Sequence, residues 1–185
     1  MTRLLPRTVP TQVTRQLAEA GMHPLLARLY AARGIRSAAE LKTDLAALLP
    51  PEGLKGITEA AELLADGIEA GARMVIVADY DCDGATACAV GLRALRTMGA
   101  EVHYFVPDRA VHGYGLSPSV VAEIARLEAE ILITVDTGIA SLEGVAAAQA
   151  LGMTVLVTDH HLPGEALPAA EVFFNTNQRG FVFDR

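Results

Sequence analysis

Residues 74–107 read MVIVADYDCDGATACAVGLRALRTMGAEVHYFVP, and this stretch decides the fold. MVIVAD (74–79) is a short β-branched run, EVHYFVP (101–107) is a second, and ATACAVGLRALRTMG between them has helical spacing. A strand, a helix and a strand in so short a span make a right-handed crossover between parallel neighbours. Working outward, ILITVD (131–136), MTVLVTD (153–159) and EVFFN (171–175) repeat the strand signature, while SPSVVAEIARLEA and SLEGVAAAQALG repeat the helical one. Nearly continuous apolar strands belong to a parallel sheet covered on both faces. The expected fold is therefore α/β: a five-stranded parallel sheet with helices on both faces over residues 57–185, opening with the amphipathic helix ITEAAELLADGIEAG (57–71).

Upstream, residues 1–56 read as an irregular arm and a small helical region. Pro6 and Pro10 interrupt any helix in residues 1–12. From Gln12 to about Leu49 the segments VTRQLAEA, HPLLARLYAARG and SAAELKTDLAALL have helical patterns. Gly34 is placed to stop the second, and Ser37 with Glu40 forms a capping box for the third. Pro50 and Pro51 close the region.

The charge is uneven. Residues 1–55 carry eight Lys/Arg against four Asp/Glu, a balance of +4, and the other 130 carry seven against eighteen, a balance of −11, which together give the net −7. A protein that coats DNA would be basic throughout. An acidic domain behind a basic segment suits a metal site whose cations recruit a polyanion, although acids on solvated helices would give the same balance. No apolar run approaches the ~20 residues that span a bilayer, and MTRLLPRTVPTQVTR has no apolar signal core, so a cytoplasmic protein is expected. Cys82 and Cys88 match no zinc or redox spacing, and Asp81 and Asp83 beside Cys82 disfavour a thiolate, so both read as reduced structural thiols.

Ligands of open parallel sheets bind beyond the carboxyl ends of the strands. The first strand ends in Asp79-Tyr80-Asp81-Cys82-Asp83-Gly84, the third in Asp136-Thr137-Gly138 and the fourth in Thr158-Asp159-His160-His161. Carboxylates so crowded disfavour one another's ionisation unless divalent cations turn the repulsion into ligation. Mixed carboxylate and imidazole donors suit Mn²⁺, with Mg²⁺ or Zn²⁺ as alternatives, and two such ions clamp a phosphoryl group for in-line displacement. An EF-hand loop shares the D-x-D-x-D-G opening but needs Glu where Val90 stands, and a helix where MVIVAD stands. A phosphatase with an aspartyl nucleophile also places D-x-D at a strand end, yet leaves the two histidines unexplained.

Gly84 reads as the turn that lets a helix beginning at Ala85 and Thr86 start close to the acids, or as a plain turn glycine. His160 reads as a metal ligand, His161 as a group touching the phosphate or the leaving group, and Asp159 as either ligand or orienting acid. Arg109, beyond the second strand, is a candidate phosphate fork, with pairing to Asp108 or another local acid as its rival. Tyr114, in Gly-Tyr-Gly, can stack on a base or simply pack. His103, within a strand, reads as structural, and His23, at the start of a helix in the N-terminal region, has no site partner.

These motifs, ADYDCDGATA (78–87), VPDR (106–109), GYGLSP (113–118), TVDTGI (134–139) and VTDHHLPG (157–164), occur in an order that resembles the DHH phosphoesterases, and within them the RecJ-type single-stranded-DNA exonucleases. HPLLARLYAARGIRSAAEL and ALPAAEVFFNTN extend the resemblance over essentially the whole chain. It implies hydrolysis of single-stranded DNA from the 5′ end, dependent on two Mn²⁺ or Mg²⁺ ions, in repair and recombination, with a single-strand-binding protein and a helicase as further partners. Carried over, Asp79, Asp81, Asp83, Asp136 and His160 are metal ligands, His161 assists at the phosphate and Arg109 holds DNA. Asp136 is the expected bridge between the cations. Asp136-Thr137-Gly138 and Asn175-Thr176-Asn177 stand where the family commonly has Asp-Asn-Gly and Asn-Pro-Asn. After FVFDR (181–185) the family continues to a further metal-binding Asp and a second domain, so an incomplete version is expected. A hydrolase of small phosphoesters and a non-catalytic metal- or DNA-binding fragment are the other classes left open.

Overall fold

A computed structural model of the chain describes residue 5, residues 7–48 and residues 50–177, so FVFDR (181–185) lies outside the described residues. Two compact units are present, within Met1–Pro50 and within Pro51–Arg185. In the first, α1 (Thr11–Glu19) and α2 (Pro24–Ala32) pack through Leu17, Ala27 and Ala31. His23 caps α2 by accepting from the Leu25 amide at 3.3 Å. The third expected helix is not formed. Glu40 does accept from the Ser37 amide at 3.0 Å, but the pair starts only a four-residue 3-10 turn, Ala38–Leu41. Lys42 and Asp44 adopt extended backbone between that turn and a second, Leu45–Ala47. A helix without a buried face has little to hold it in water.

The second unit opens at Pro51. Gly56 ties its first residues in: the backbone is left-handed there (φ 84°), and a Cβ would sit 2.7 Å from the Phe173 carbonyl oxygen. Helix α3 (Ile57–Glu69) follows. Strands β1 (Met74–Ala78), β2 (Val102–Phe105), β3 (Ile131–Val135), β4 (Thr154–Asp159) and β5 (Val172–Asn175) form one parallel sheet in the order β2-β1-β3-β4-β5. The α/β sheet read from the sequence is therefore present. Its connections carry α4 (Cys82–Thr97), the one-turn α5 (Arg109–His112), α6 (Pro118–Ala125) and α7 (Leu142–Ala150).

Strand side chains alternate between two cores, as the period of 2 requires. Met74, Ile76, Ile131, Ile133 and Leu156 pack under α3 and α4 with Ala60, Cys88 and Leu95. Val75, Val77, Leu132, Val155 and Val157 pack under α6 and α7 with Val120, Ile124, Val145 and Ala148. Each fully buried aliphatic side chain contributes about 1.5–3 kcal/mol. At the amino ends of the strands, Arg73 bonds Glu101 at 2.7 Å and Glu128 at 2.6 Å, while its amide donates to Glu130 at 2.9 Å.

The sheet order also fixes where a ligand can enter. β1 leads to α4 on one face and β3 leads to α7 on the other, so the two loops diverge at the carboxyl edge and open a crevice. Register places Ala78 opposite Val135 and Val135 opposite Thr158. The next residues along are Asp79, Asp136 and Asp159.

Candidate active site

Helix α4 begins at Cys82, not at Ala85. Asp81 is its N-cap and accepts from the Gly84 amide at 3.2 Å, which puts Asp83 in the first helical turn. Gly84 therefore serves close approach rather than a turn. A Cβ on it would lie 2.5 Å from the Asp79 carbonyl oxygen, so only glycine lets α4 start against the end of β1.

After β3 the chain turns sharply. Asp136 has left-handed backbone (φ 59°) and Gly138 has φ 112°, where a Cβ would lie 2.5 Å from the Thr134 hydroxyl and 3.1 Å from the Val157 side chain. A non-glycine residue in that region is uncommon and marks a site where surrounding structure holds local strain. The turn buries the Asp136 carboxylate beneath the rim. Its Oδ1 lies 2.7 Å from His160 Nε2, and its Oδ2 has no hydrogen-bond partner among the described residues. The Thr137 hydroxyl is also buried and without such a partner.

At the end of β4, Asp159 organises the two histidines. Its Oδ1 accepts from the His161 ring Nδ1 at 2.7 Å and from the amides of His160 and His161, and its Oδ2 accepts from the Ile139 amide at 2.9 Å. Of the two roles open to it, Asp159 takes that of orienting acid in this geometry. Asn175, fully buried, donates to the His161 carbonyl at 2.8 Å, and Asn177 donates to the His160 carbonyl. In the sequence these two asparagines stand out only as a family motif, because nothing local announces that a β5 residue braces a β4 loop.

Oxygens of Asp81, Asp83 and Asp136 lie within 4.8 Å of one another, as do ligand atoms of Asp136, His160 and His161. Asp136 is common to both groups. His160 Nε2 is also 3.6 Å from Asp83. Burial, and then the negative charges of Asp81 and Asp83, push the Asp136 carboxyl above the usual carboxylate range, against the lowering effect of His160. Asp81 is held low, first by the Gly84 amide. Burial would raise Asp159, but the amides of His161 and Ile139 and the His161 ring outweigh it and leave it low. His161 is raised, chiefly by Asp159. A buried carboxylate with one oxygen unpartnered among the described residues, close to two more carboxylates and an imidazole, is a donor set that divalent cations fit.

Asp79 is placed differently from the expectation. It belongs to neither group: both its oxygens receive Arg109 Nη2, at 3.2 and 3.1 Å, and its Oδ1 also accepts from the Tyr80 amide. Arg109 thus pairs with a local acid, Asp79 rather than Asp108, while Asp108 caps α5. Tyr114 sits beside Arg109, and its hydroxyl is 3.3 Å from His161 Nε2. Burial and the charges of Asp79 and Asp159 raise its phenol. Next to His161 a cleft of about 400 Å³ is lined by Tyr114, Ser117, Thr137, Ser141 and Leu162. Among the described residues, no helix is long and apolar enough to cross a membrane.

The profile described as "DHH family, N-terminal domain" matches residues 73–181. The chain is 47% identical over 165 residues to the single-stranded-DNA-specific exonuclease RecJ of Escherichia coli (strain K12), covering 89% of this chain and 29% of that protein. It is 53% identical over 160 residues to RecJ of Dickeya dadantii (strain 3937), covering 86% and 28%. Among solved structures it resembles an exonuclease RecJ bound to manganese, at TM-score 0.64 and 38% identity, over 71% of this chain and 33% of that one. It also resembles RecJ in complex with Mn²⁺ from Thermus thermophilus, at TM-score 0.63 and 34% identity, over 92% and 24%. The chain spans less than a third of the length of the curated relatives it matches.

Proposed function

The chain belongs to the DHH family, and from that premise we propose that it supplies the cation-binding and phosphate-binding rim of a single-stranded-DNA-specific 5′-to-3′ exonuclease of the cytoplasm. The observation that carries this reading is the meeting of Asp81, Asp83, Asp136 and His160 at one sheet edge, with Asp136 shared by both groups of donors. These four residues would hold two Mn²⁺ or Mg²⁺ ions. When bound, such ions supply Lewis-acid stabilisation of the phosphoryl oxygens and an activated water.

The residues of the chain do the rest. Asp136, buried and held in its turn, keeps a fixed carboxylate between the two groups. Asp159 holds the His161 Nδ1 proton, which fixes the ring and leaves Nε2 facing the cleft, where it can exchange a proton with the departing oxygen. Tyr114, 3.3 Å from that nitrogen, marks where a nucleotide comes to rest. Arg109 takes the strand's phosphate, as a guanidinium with donors to spare can.

The test is a titration of the chain with Mn²⁺, together with an assay of nucleotide release from a 5′-phosphorylated single strand. Saturable Mn²⁺ uptake and release, both lost in Asp136→Ala, are expected. Uptake or release indifferent to that substitution would overturn the reading.

A further inference from the structure

Ser141 stands immediately before α7, where a serine hydroxyl ordinarily accepts from an amide of the first helical turn. Ser117 does so for α6, accepting from the Val120 amide at 3.3 Å. Ser141 makes no such bond to its own helix. Its Oγ instead accepts from the Leu116 amide at 3.2 Å, across 25 residues of sequence. Leu116 is buried, where an amide left without an acceptor is costly. The segment that ends at Leu116 also lies tightly on α7 and on the turn after β3. A Cβ on Gly144, in the first turn of α7, would collide with the Leu116 carbonyl. One on Gly115 would lie 3.2 Å from the Ser141 oxygen and 3.3 Å from that of Thr137. Two residues before Leu116 the same segment presents Tyr114, whose hydroxyl is 3.3 Å from His161 Nε2 and whose ring meets that imidazole edge-on, with centroids 6.1 Å apart. With half its surface exposed, Tyr114 depends on the anchorage of its loop for its place.

From this exchange of partners we infer that Ser141 is a positioning residue for the histidine facing the cleft: its hydroxyl, withheld from capping α7, pins the Leu116 amide and so keeps Tyr114 at His161 Nε2. The inference rests on the exonuclease reading for what His161 acts upon. Asp159 holds the other ring nitrogen, Nδ1, at 2.7 Å. A ring held at one nitrogen can still pivot about it, and a ring met at both keeps its plane. The bond from Ser141 thus ties α7, which follows the turn carrying Asp136, to the loop carrying Tyr114, and sets the imidazole against the donor cluster from the side that Asp159 does not reach.

Long-range proton–nitrogen spectra of the cation-free chain, taken at one pH, read the His161 ring nitrogens, and hydrogen exchange reads the Leu116 amide. Tyr114→Phe is expected to move the Nε2 signal. Ser141→Ala should move it in the same direction and let the Leu116 amide exchange roughly fivefold to tenfold faster, the scale of one lost hydrogen bond. Ser141→Thr, which keeps the hydroxyl, should restore both, with circular dichroism confirming the fold of each variant. In Mn²⁺-dependent nucleotide release, Ser141→Ala and Tyr114→Phe should each lower kcat roughly tenfold with KM within about twofold, and the double variant should be no slower than Tyr114→Phe alone. An Nε2 signal unmoved by Ser141→Ala, a Leu116 amide that exchanges freely in the parent, or losses that multiply in the double variant would overturn the inference and leave the exonuclease reading standing. A parent chain that releases no nucleotide would overturn that reading instead, with the spectra still deciding the role of Ser141.

Discussion

Gly84 and the Asp79 carbonyl are in contact so close that a single added methyl group would lie 2.5 Å from the oxygen. Alanine in the interior of a helix ordinarily stabilises by about 1 kcal/mol over glycine. Here the sign should reverse: Gly84→Ala is expected to cost about 1–3 kcal/mol, because backbone must move to admit the Cβ. The displaced first turn carries Asp81 and Asp83, so Mn²⁺ affinity should fall as well. Urea unfolding and Mn²⁺ titration of the variant check both, and a stability gain would contradict the packing described.

Asp136 should weaken the cation-free protein. Its carboxyl is easier to protonate when folded, because of burial and of Asp81 and Asp83. The folded state therefore binds more protons than the unfolded one, and stability contributed at this position falls as pH rises through its titration. Asn tolerates left-handed backbone and lacks the charge. Asp136→Asn in EDTA at pH 7 is expected to melt above the parent, while losing the stabilisation by Mn²⁺, about 2.7 kcal/mol at a hundredfold excess over Kd, that the parent gains. Calorimetry with and without Mn²⁺ reads both effects.

His161 and Asp159 stabilise each other with opposite pH limits. The His161 contribution, from a raised pKa, is complete below its ordinary value of 6.5 and is lost as pH rises through the folded value. That of Asp159, from a lowered pKa, is complete above its ordinary 3.8 and is lost as pH falls through the folded value. Melting of the cation-free chain across pH should show the pair's contribution as a plateau between those limits. Asp159→Asn should remove both flanks, and an unchanged profile would show that the pair is not formed.

The two thiols should differ in reactivity. Cys82 is exposed at the start of α4, whereas Cys88 is buried on the sheet side and burial raises its thiol pKa. Iodoacetamide is expected to label Cys82 in the folded chain and Cys88 only after unfolding, as mass spectrometry of the digested product would report.

The sheet was legible because its strands carry long β-branched runs between helical spacings, and the donors were legible because strand ends in such sheets are where ligands gather. What local pattern could not convey was contact between distant segments. SAAELKTDLAALL has helical spacing, but Leu45 and Leu48 lie exposed, and among the described residues only short turns form. Gly84 has the look of a turn residue, and its actual constraint is the carbonyl of Asp79. Asp79 stands at the same spacing as Asp81 and Asp83 and faces Arg109, thirty residues on, instead of the cluster. The bracing of the histidine loop by Asn175 and Asn177 likewise depends on β5 lying beside β4.

The pairing of Ala78 with Val135 and of Val135 with Thr158 gives the rim a built-in ruler. Neighbouring strands stand about 4.8 Å apart by backbone hydrogen bonding alone, whatever side chains they carry. The interval between the tips of β1, β3 and β4 is thus inherited from peptide geometry rather than tuned by loops. Acids, amides or imidazoles could be exchanged at those tips over evolutionary time with the gauge intact, whereas a one-residue slip of β3 would turn its whole row of side chains over and erase the scale.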